Sequence, residues 1–358
     1  MMNIMVFDVP AESGGALSIL NDFYQEVVEI DDKNINWIFV LSNPEYKETD
    51  NVEILNFPWV KKSWFHRLYF DHFVAPKLVE KYNVDRIFSL QNVIIPKIGV
   101  EQILYVHQPL PFSGYKFSIN ENFKFWIYQN LISKKIYNSI READKVIVQT
   151  NWMKKACINK IDVLDNKIKV IPPKINLNIE DTFDKNNRVK TFFYPAGASY
   201  YKNHRLIIEA SKLLNDNNVN NYKIIFTLTG DENDHIKELY RAVNKYNLPI
   251  EFAGRLEREE VFDLYTKSYL IFPSYIETFG LPMLEAKLHK TMILASDKPF
   301  SHEILDDYDN AYFFDPFSAE DLMVKMDKFI NSKINYKIIE SISKSHDNNL
   351  YSEVTEIV

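Results

Sequence analysis

Short apolar runs recur along the chain, and the segments between them carry apolar residues at helical spacing. Each run has the length of a buried strand, roughly 4–8 residues. In the first half the runs predict strands at 3–9, 37–41, 52–57, 86–90, 102–106, 144–150 and 168–173. In the second half they predict strands that begin near 191, 223, 249, 269, 291 and 311. Strands that alternate with helices in this way are typical of parallel α/β sheets.

The alternation occurs twice, in two halves that a polar segment separates. Residues 174–190 are polar with little periodicity, which predicts a linker. A chain of 358 residues is also longer than one compact α/β core usually is. We therefore expect two doubly wound, Rossmann-like domains, at 1–173 and 191–335, with ligand bound between them at the carboxyl ends of the strands. Helical patterns predict further helices at 319–330 and from about Tyr336 onward.

The amino-acid composition of the chain disfavours some classes of binding partner. Hydrophobic residues make up 46% and charged residues 25% of the chain, as in ordinary globular proteins. A net charge of −7 disfavours a nucleic-acid binder, which needs a basic surface. The single cysteine, Cys157, excludes an internal disulfide, and its helical setting predicts a buried, inert thiol.

Two features concern membranes. The amino terminus resembles a first strand rather than a signal peptide, and no apolar run reaches 18 residues, so we expect a cytoplasmic protein. Residues 59–70 interleave Trp, Phe and Tyr with Lys, His and Arg. This pattern fits a helix with one buried face, and it equally fits a peripheral contact with anionic lipid at the inner face of the membrane.

The stretch 271–286 predicts the end of a strand, a polar loop and the start of a helix. Pro282 suits the first turn of a helix, and Gly280 permits close approach of a ligand to the backbone. Unpaired N–H groups at such a helix start attract phosphate. Two carboxylates, Glu277 and Glu285, bracket this predicted anion site.

The string from Glu277 to Ala286, Glu-Thr-Phe-Gly-Leu-Pro-Met-Leu-Glu-Ala, matches the whole E-x-F-G-L-P-x-L-E-A pattern of retaining GT-B glycosyltransferases. The chain therefore resembles glycosyltransferase family 4, the group 1 type. The resemblance implies that Glu277 lies beside the donor sugar and that Glu285 hydrogen-bonds the nucleotide ribose. It also implies that Thr278, Phe279, Gly280 and Leu281 meet the diphosphate. The implied GT-B fold has two Rossmann-like domains facing each other across a cleft, with a final helix, here near 340–358, packing back on the first domain.

Two features of the first domain gain a role from the resemblance. Gly14 and Gly15 follow the first strand, where glycines form either a simple tight turn or a loop that a phosphate or sugar can approach. The family has a Gly-Gly loop there, bordering the acceptor and the donor phosphate. His107 ends another strand and precedes Gln-Pro-Leu-Pro. It is either a structural histidine or, as in the H-x-P loop of the family, a contact to the donor sugar.

The second domain carries the predicted cation. Lys202 stands in a loop before a helix start and resembles the lysine that neutralises the donor diphosphate. Gly197 and Gly230 end strand-loop segments where the family approaches the donor nucleotide. The family often has an arginine after the first of these glycines, whereas this chain has Ala198 and Ser199. Either Arg255 or another cation replaces that arginine, or this chain functions without it.

The resemblance implies a retaining hexosyltransferase that needs no metal. Its donor is a nucleoside diphosphate sugar, and its acceptor is a hydroxyl of a glycan or lipid-linked oligosaccharide, as in bacterial surface polysaccharide synthesis. Asp231 and Asp234 do not have the spacing of a metal-binding D-x-D motif, so no metal site is predicted. Two alternatives remain: a sugar phosphorylase or epimerase of the same fold, and a non-catalytic partner protein that retains the fold.

Overall fold

The computed structural model describes residues 1–12, 14–174, 179, 181–184, 190–339 and 349–356. The chain divides into two compact units. The first comprises Met1–Ile175 with Ser345–Val358, and the second comprises Asn176–Lys344. Much of the predicted linker, and residues 340–348 of the predicted final segment, lie outside the described residues.

A seven-stranded parallel sheet forms the centre of the first unit, in the order β3-β2-β1-β4-β5-β6-β7. Its strands are β1 Met2–Asp8, β2 Ile35–Leu41, β3 Val52–Asn56, β4 Arg86–Ser89, β5 Glu101–Val106, β6 Lys145–Val148 and β7 Ile168–Val170. The helices are α1 Gly14–Ile30, α2 Trp64–Tyr69, α3 Ala75–Lys81, α4 Phe123–Ile127, α5 Ser133–Glu142 and α6 Asn151–Ile161. Wider π turns, Phe70–Val74 and Tyr128–Ile132, join α2 to α3 and α4 to α5. This reversal of strand order beside β1 defines a doubly wound sheet.

A second parallel sheet, in the order β10-β9-β8-β11-β12-β13, forms the centre of the other unit. Its strands are β8 Thr191–Tyr194, β9 Lys223–Phe226, β10 Ile250–Phe252, β11 Tyr269–Phe272, β12 Ile293–Ser296 and β13 Ala311–Phe314. The helices are α7 His204–Asp216, α8 Asp234–Lys245, α9 Arg258–Lys267, α10 Leu281–Leu288, α11 Pro299–Leu305 and α12 Ala319–Ile330. The α/β class and both doubly wound sheets are therefore confirmed.

Local chemistry explains where several helices begin. Asn233 and Ser318 cap α8 and α12, with side-chain oxygens that accept from N–H groups three residues later. Thr150 caps α6 in the same way. Such caps satisfy N–H groups that the helix itself leaves unpaired. The predicted helix at 319–330 is confirmed as α12.

The predicted helix from Tyr336 is wrong where the structure describes it, because residues 335–339 form no helix. Asn310 holds this segment extended, since it donates to the carbonyl of Lys337 and accepts from its N–H, both at 2.8 Å. The last described helix is instead α13, Leu350–Thr355. It belongs to the first unit, where Arg86 donates to the carbonyl of Val354 at 2.6 Å.

Burial accounts for the state of Cys157. Its side chain is buried in the first unit, and burial raises the pKa of the thiol to about 12. The thiolate is the reactive form of cysteine, so this residue is inert at neutral pH. Among the described helices, none combines the length and apolar character required to cross a bilayer.

Candidate functional site

An ion pair between Lys202 and Glu277 is the centre of the candidate site in the second unit. The two side chains are only 22% and 13% exposed, although 75 positions separate them in sequence. Burial disfavours the charged ammonium, but Glu277 and Tyr201 outweigh it, so that the pKa of Lys202 lies above its usual value. Lysine has three donors, and Glu277 takes one of them. The remaining donors suit an anionic ligand.

Backbone contacts hold Lys202 in place. The residue ends a short 3₁₀ turn, Tyr200–Lys202, and its carbonyl accepts from the Tyr194 hydroxyl at 2.7 Å. Asn203 follows in the left-handed conformation, with φ of +63°. Its amide donates to the carbonyls of Pro273 and Pro316, at 3.3 and 2.8 Å. Asparagine tolerates this conformation better than most residues, which explains why the Lys-Asn sequence fits here.

The next residue, His204, begins α7 and is buried. Its ring packs against Tyr194 and Phe226, with centroids 4.8 and 5.0 Å apart. Burial, with Lys202 nearby, lowers the pKa of His204 to about 3. The imidazole is therefore neutral at physiological pH, and the positive charge of this loop resides on Lys202.

The start of α10 provides backbone donors as predicted from Pro282 and Gly280. Gly280 caps the helix with φ of +94°, a conformation that side-chain-bearing residues rarely adopt. Within the described residues, no protein acceptor takes the N–H groups of Phe279, Gly280 and Leu281. Thr278, by contrast, has a contact of its own. These three N–H groups can therefore donate to an anionic ligand at this helix start.

Glu285, one turn into α10, is half-buried and accepts a hydrogen bond from the Tyr265 hydroxyl at 3.1 Å. Burial raises the pKa of Glu285, against the opposing effects of Tyr265 and of the positive charge on Arg258. The ring of His289 packs on Tyr265, and its Nδ1 lies 2.7 Å from the main-chain oxygen of Glu285. Glu285 is thus a positioned acceptor with its second carboxylate oxygen available for a ligand hydroxyl.

The other predicted ligand contacts in this unit differ in their surroundings. Gly197 is exposed, and space is open around its Cα. The N–H of Gly230 already donates to the carboxylate of Glu232 at 3.1 Å. Arg255 is exposed and forms no ion pair with any described residue, so its charge is available. These contacts to a nucleotide stay predictions.

Gly230 also provides a test of local packing. It has φ of +97°, and a Cβ placed there would lie 2.6 Å from the Tyr240 ring. We expect Gly230→Ala to destabilise the chain by about 2–3 kcal/mol, because it combines backbone strain with overpacking. Gly197→Ala is the matched control and should leave stability within about 0.5 kcal/mol, since nothing lies within 4 Å of its added Cβ. Thermal unfolding of both variants checks this, and equal unfolding midpoints would contradict it.

The predicted residues of the first unit lie at the carboxyl edge of its sheet. Gly14 and Gly15 begin α1 in open surroundings, and Gly14 has φ of +63°. His107 follows β5, and its Nε2 lies 2.8 Å from the carbonyl of Leu90 and 3.1 Å from the amide of Asn92. The carbonyl contact is satisfied when Nε2 carries the proton, which leaves Nδ1 as the acceptor. Burial lowers the pKa of His107, so the ring is neutral.

Three residues that position the candidate site side chains were not identified from the sequence. Tyr265 and Arg258 act on Glu285 from α9, and Asn92 anchors His107 by accepting from its N–H at 2.8 Å. None belongs to a recognisable motif, and only Asn92, in the left-handed conformation, had the residue type that turns favour. In the described part of the chain, no group of three or more His, Cys, Asp or Glu side chains is arranged to hold a metal ion.

Comparison with known proteins finds a family model that matches most of the second unit. Residues 177–346 match the family model described as Glycosyl transferases group 1. The chain is 25% identical over 240 residues to the O-antigen chain mannosyltransferase RfbU of Salmonella typhimurium. That alignment covers 66% of this chain and 63% of the relative, so a little over a third of the relative's length lies outside the alignment.

Solved structures show the fold of the whole chain. Sucrose-phosphate synthase from Thermosynechococcus elongatus is 14% identical with a TM-score of 0.69, over 92% of this chain and 90% of that one. Anabaena Alr3699/HepE in complex with UDP and glucose is 18% identical with a TM-score of 0.67, over 93% and 91%. These similarities identify the architecture as GT-B.

Proposed function

We propose that this protein transfers a hexose from a nucleoside diphosphate sugar to an acceptor hydroxyl, a function that the match of residues 177–346 to the Glycosyl transferases group 1 model supports. The observation that carries the proposal is the grouping of Lys202, Glu277 and the start of α10 in one unit. When the bond to the sugar breaks, its electron pair stays on the departing diphosphate, which gains one further negative charge. A protonated lysine and unpaired N–H groups stabilise such developing charge.

Each residue then has a distinct role. Lys202 and the N–H groups of Phe279, Gly280 and Leu281 would bind the diphosphate. Glu277 would orient Lys202 and the donor sugar, while Glu285 would accept from a ribose hydroxyl. Arg255 would supply the positive charge that an arginine after the glycine at position 197 often supplies in the family that the chain resembles. His107, with Nδ1 as acceptor, would contact the donor sugar from the first unit.

The substrate class follows from the similar proteins. RfbU is named as a mannosyltransferase of the O-antigen chain, and the HepE structure contains UDP and glucose. We propose a bacterial cell-surface glycan as acceptor, retention of the anomeric configuration, and no requirement for metal. Mannose is the first sugar to test.

Thermal unfolding of the full chain with UDP, GDP, UDP-glucose and GDP-mannose tests the donor site. A ligand at about 100 times its dissociation constant should stabilise the folded state by roughly 2.7 kcal/mol. We expect one base to raise the unfolding midpoint, and EDTA to leave that shift unchanged. No shift with any nucleotide would favour the non-catalytic alternative, and a shift that EDTA abolishes would refute the metal-free mechanism. The anomeric proton signal of the product tests retention.

We further propose that an exposed aromatic surface on α2 contacts an anionic membrane. Trp64 and Phe65 of α2 and Phe73 just beyond it are 64%, 83% and 59% exposed, whereas Val60 and Phe70 of the same stretch are buried. Lys135 bonds Asp71 at 2.7 Å and so joins this surface to the segment that carries exposed Phe123 and Leu131. Exposed aromatic rings near the exposed Lys62 suit a lipid interface.

Removal of the aromatic rings tests this contact. We expect Trp64→Ser with Phe65→Ser to weaken sedimentation with vesicles of phosphatidylglycerol and phosphatidylcholine about tenfold or more, since each ring contributes roughly 1.5–3 kcal/mol when buried. Leu164→Ser is the control, because Leu164 is 74% exposed elsewhere in the same unit. Equal sedimentation of the double variant and the wild type would contradict the proposal.

A further inference from the structure

An open cavity lies at the amino edge of the first unit's sheet. Its volume is about 310 Å³, at the lower end of the range for small-molecule sites. Asn3 and Asn36, near the starts of β1 and β2, line it together with Tyr82, which follows α3. Asn3 is five residues before the end of β1, so at about 3.3 Å per residue the cavity is roughly 16 Å from the carboxyl edge. It is therefore separate from the predicted site residues at that edge.

Hydrogen bonds between amides fix one wall of this cavity. Asn36 donates to the Oδ1 of Asn3 at 3.0 Å. The amide of Asn3 donates in turn to the carbonyls of Tyr82 and Asn83, both at 3.1 Å. Both N–H groups of the Asn3 amide are thereby used, so this wall is held in place without a ligand.

The charged side chains that line the cavity are all acidic. They are Glu48, Asp50 and Glu53, and among the described lining residues there is no lysine or arginine. The Tyr82 hydroxyl donates to Glu53 at 2.6 Å. That hydrogen bond, burial and the charges of Glu53 and Glu48 raise the pKa of Tyr82 to about 12. Two carboxylates therefore act on one hydroxyl that lines the cavity.

Two lysines adjoin the cavity without lining it. Lys33, whose charge interacts with Asp50, is bonded to Asp31 at 2.7 Å. The Nζ of Lys81 lies 4.8 Å from the centroid of the Tyr82 ring. An aromatic ring attracts a cation to its face, and the Lys81 contact shows that this ring is placed to do so.

The lining groups select the class of ligand. Carboxylates accept hydrogen bonds and repel anions, so a ligand of this cavity has to be a cation that donates. A Mg²⁺ or Ca²⁺ ion takes about six or more oxygen ligands. No group of three or more His, Cys, Asp or Glu side chains in the described residues is arranged to hold such an ion. Alkylammonium groups linked by methylenes instead reach carboxylates that are too far apart to share one ion, and each group offers three donors.

We infer that this cavity binds a linear polyamine, whose ammonium groups bond the carboxylates of Glu48, Asp50 and Glu53 and whose methylene chain lies against the Tyr82 ring. The inference does not depend on the proposed function, because the cavity is at the opposite edge of the sheet from the predicted transfer residues. It adds a second ligand class to the chain, beside the nucleotide sugar.

Isothermal titration of the full chain with spermidine at low ionic strength tests the site. We expect Glu48→Gln and Glu53→Gln each to raise the dissociation constant for spermidine about tenfold, because each removes one charged acceptor. Glutamine retains an oxygen for the N–H of Ile54, which Glu48 accepts at 3.0 Å, and for the Tyr82 hydroxyl, so the fold is preserved. n-Butylamine, with a single ammonium group, should bind at least about tenfold more weakly than spermidine.

Glu121→Gln is the matched control. Glu121 belongs to the same unit and also accepts from a tyrosine hydroxyl, that of Tyr115, but it does not line the cavity. The variant removes the same charge from a chain of net charge −7, so it measures general attraction of a polycation. Its dissociation constant for spermidine should equal that of the wild type.

Four outcomes would overturn the inference. They are no binding of spermidine to the wild type, equal affinity for n-butylamine, unchanged affinity in the double variant of Glu48→Gln with Glu53→Gln, and an equal loss in Glu121→Gln. Magnesium chloride at matched ionic strength distinguishes an organic cation from a metal ion: displacement of spermidine beyond that caused by sodium chloride would assign the cavity to a divalent metal instead.

Discussion

Lys202→Ala is expected to lower kcat for sugar transfer by about 10²–10³-fold, because it removes the cation that stabilises the departing diphosphate. The raised pKa of Lys202 means that the wild-type side chain is fully charged across the physiological range. The rate of nucleoside diphosphate release, from the sugar conjugate that stabilises the chain most, measures the effect. Lys287→Ala is the control, since Lys287 is a similarly buried lysine paired with Asp307 in the same unit.

The same variant separates catalysis from stability. Removing Lys202 leaves Glu277 half-buried without its partner, which should cost about 1–3 kcal/mol of folding free energy. Adding Glu277→Ala should restore much of that stability but none of the activity. Wild-type kcat in Lys202→Ala, or an equal fall in Lys287→Ala, would remove Lys202 from the mechanism.

Glu285→Gln is expected to raise the dissociation constant for the nucleoside diphosphate about 10–100-fold, because hydrogen bonds to a charged acceptor contribute roughly 1.5–3 kcal/mol. Glutamine keeps the volume of the side chain and retains an oxygen to accept from the Tyr265 hydroxyl. Isothermal titration with the nucleotide that gives the thermal shift measures the change.

A second nucleotide identifies the contact as one to ribose. The 2′,3′-dideoxy form lacks both hydroxyls, so the wild type and Glu285→Gln should bind it with equal, weak affinity. If the variant weakens both nucleotides by the same factor, Glu285 does not contact the ribose. Tyr265→Phe should give a smaller loss, because it removes only the hydrogen bond that positions the carboxylate.

Local pattern accounts for most of the fold. Buried strands in a parallel sheet are nearly continuous apolar runs, so every predicted strand is found, although several end earlier than predicted. β9 ends at Phe226, four residues before Gly230, although the carbonyl of Leu228 still accepts from the N–H of Gly254 at 2.9 Å. Pro282 and Gly280 predicted the start of α10 correctly, since proline and glycine restrict the backbone in ways independent of tertiary context.

The turn after α10 places a lysine in a conformation that favours glycine. Lys290 adopts φ of +58°. Its N–H donates to the carbonyl of Lys287 at 2.9 Å, so the turn that closes the helix still forms. The side chain makes this conformation more costly than glycine does, by about 1 kcal/mol.

The sequence by itself determined the two parallel sheets, the helix start at Pro282 and the identity of Lys202, Glu277 and Glu285 as candidates, because each depends on periodicity or on a contiguous string. Tertiary structure alone decided which side chains meet. Lys202 pairs with Glu277 because β8 and β11 are neighbours in the sheet. It also decided that α2 exposes its aromatic rings and that Asn310 holds the segment after α12 extended. The hydrophobic periodicity of a sequence indicates which residues face the interior of the fold. The contacts within a site depend instead on the order of the strands in the sheet, which brings together residues that are far apart in sequence.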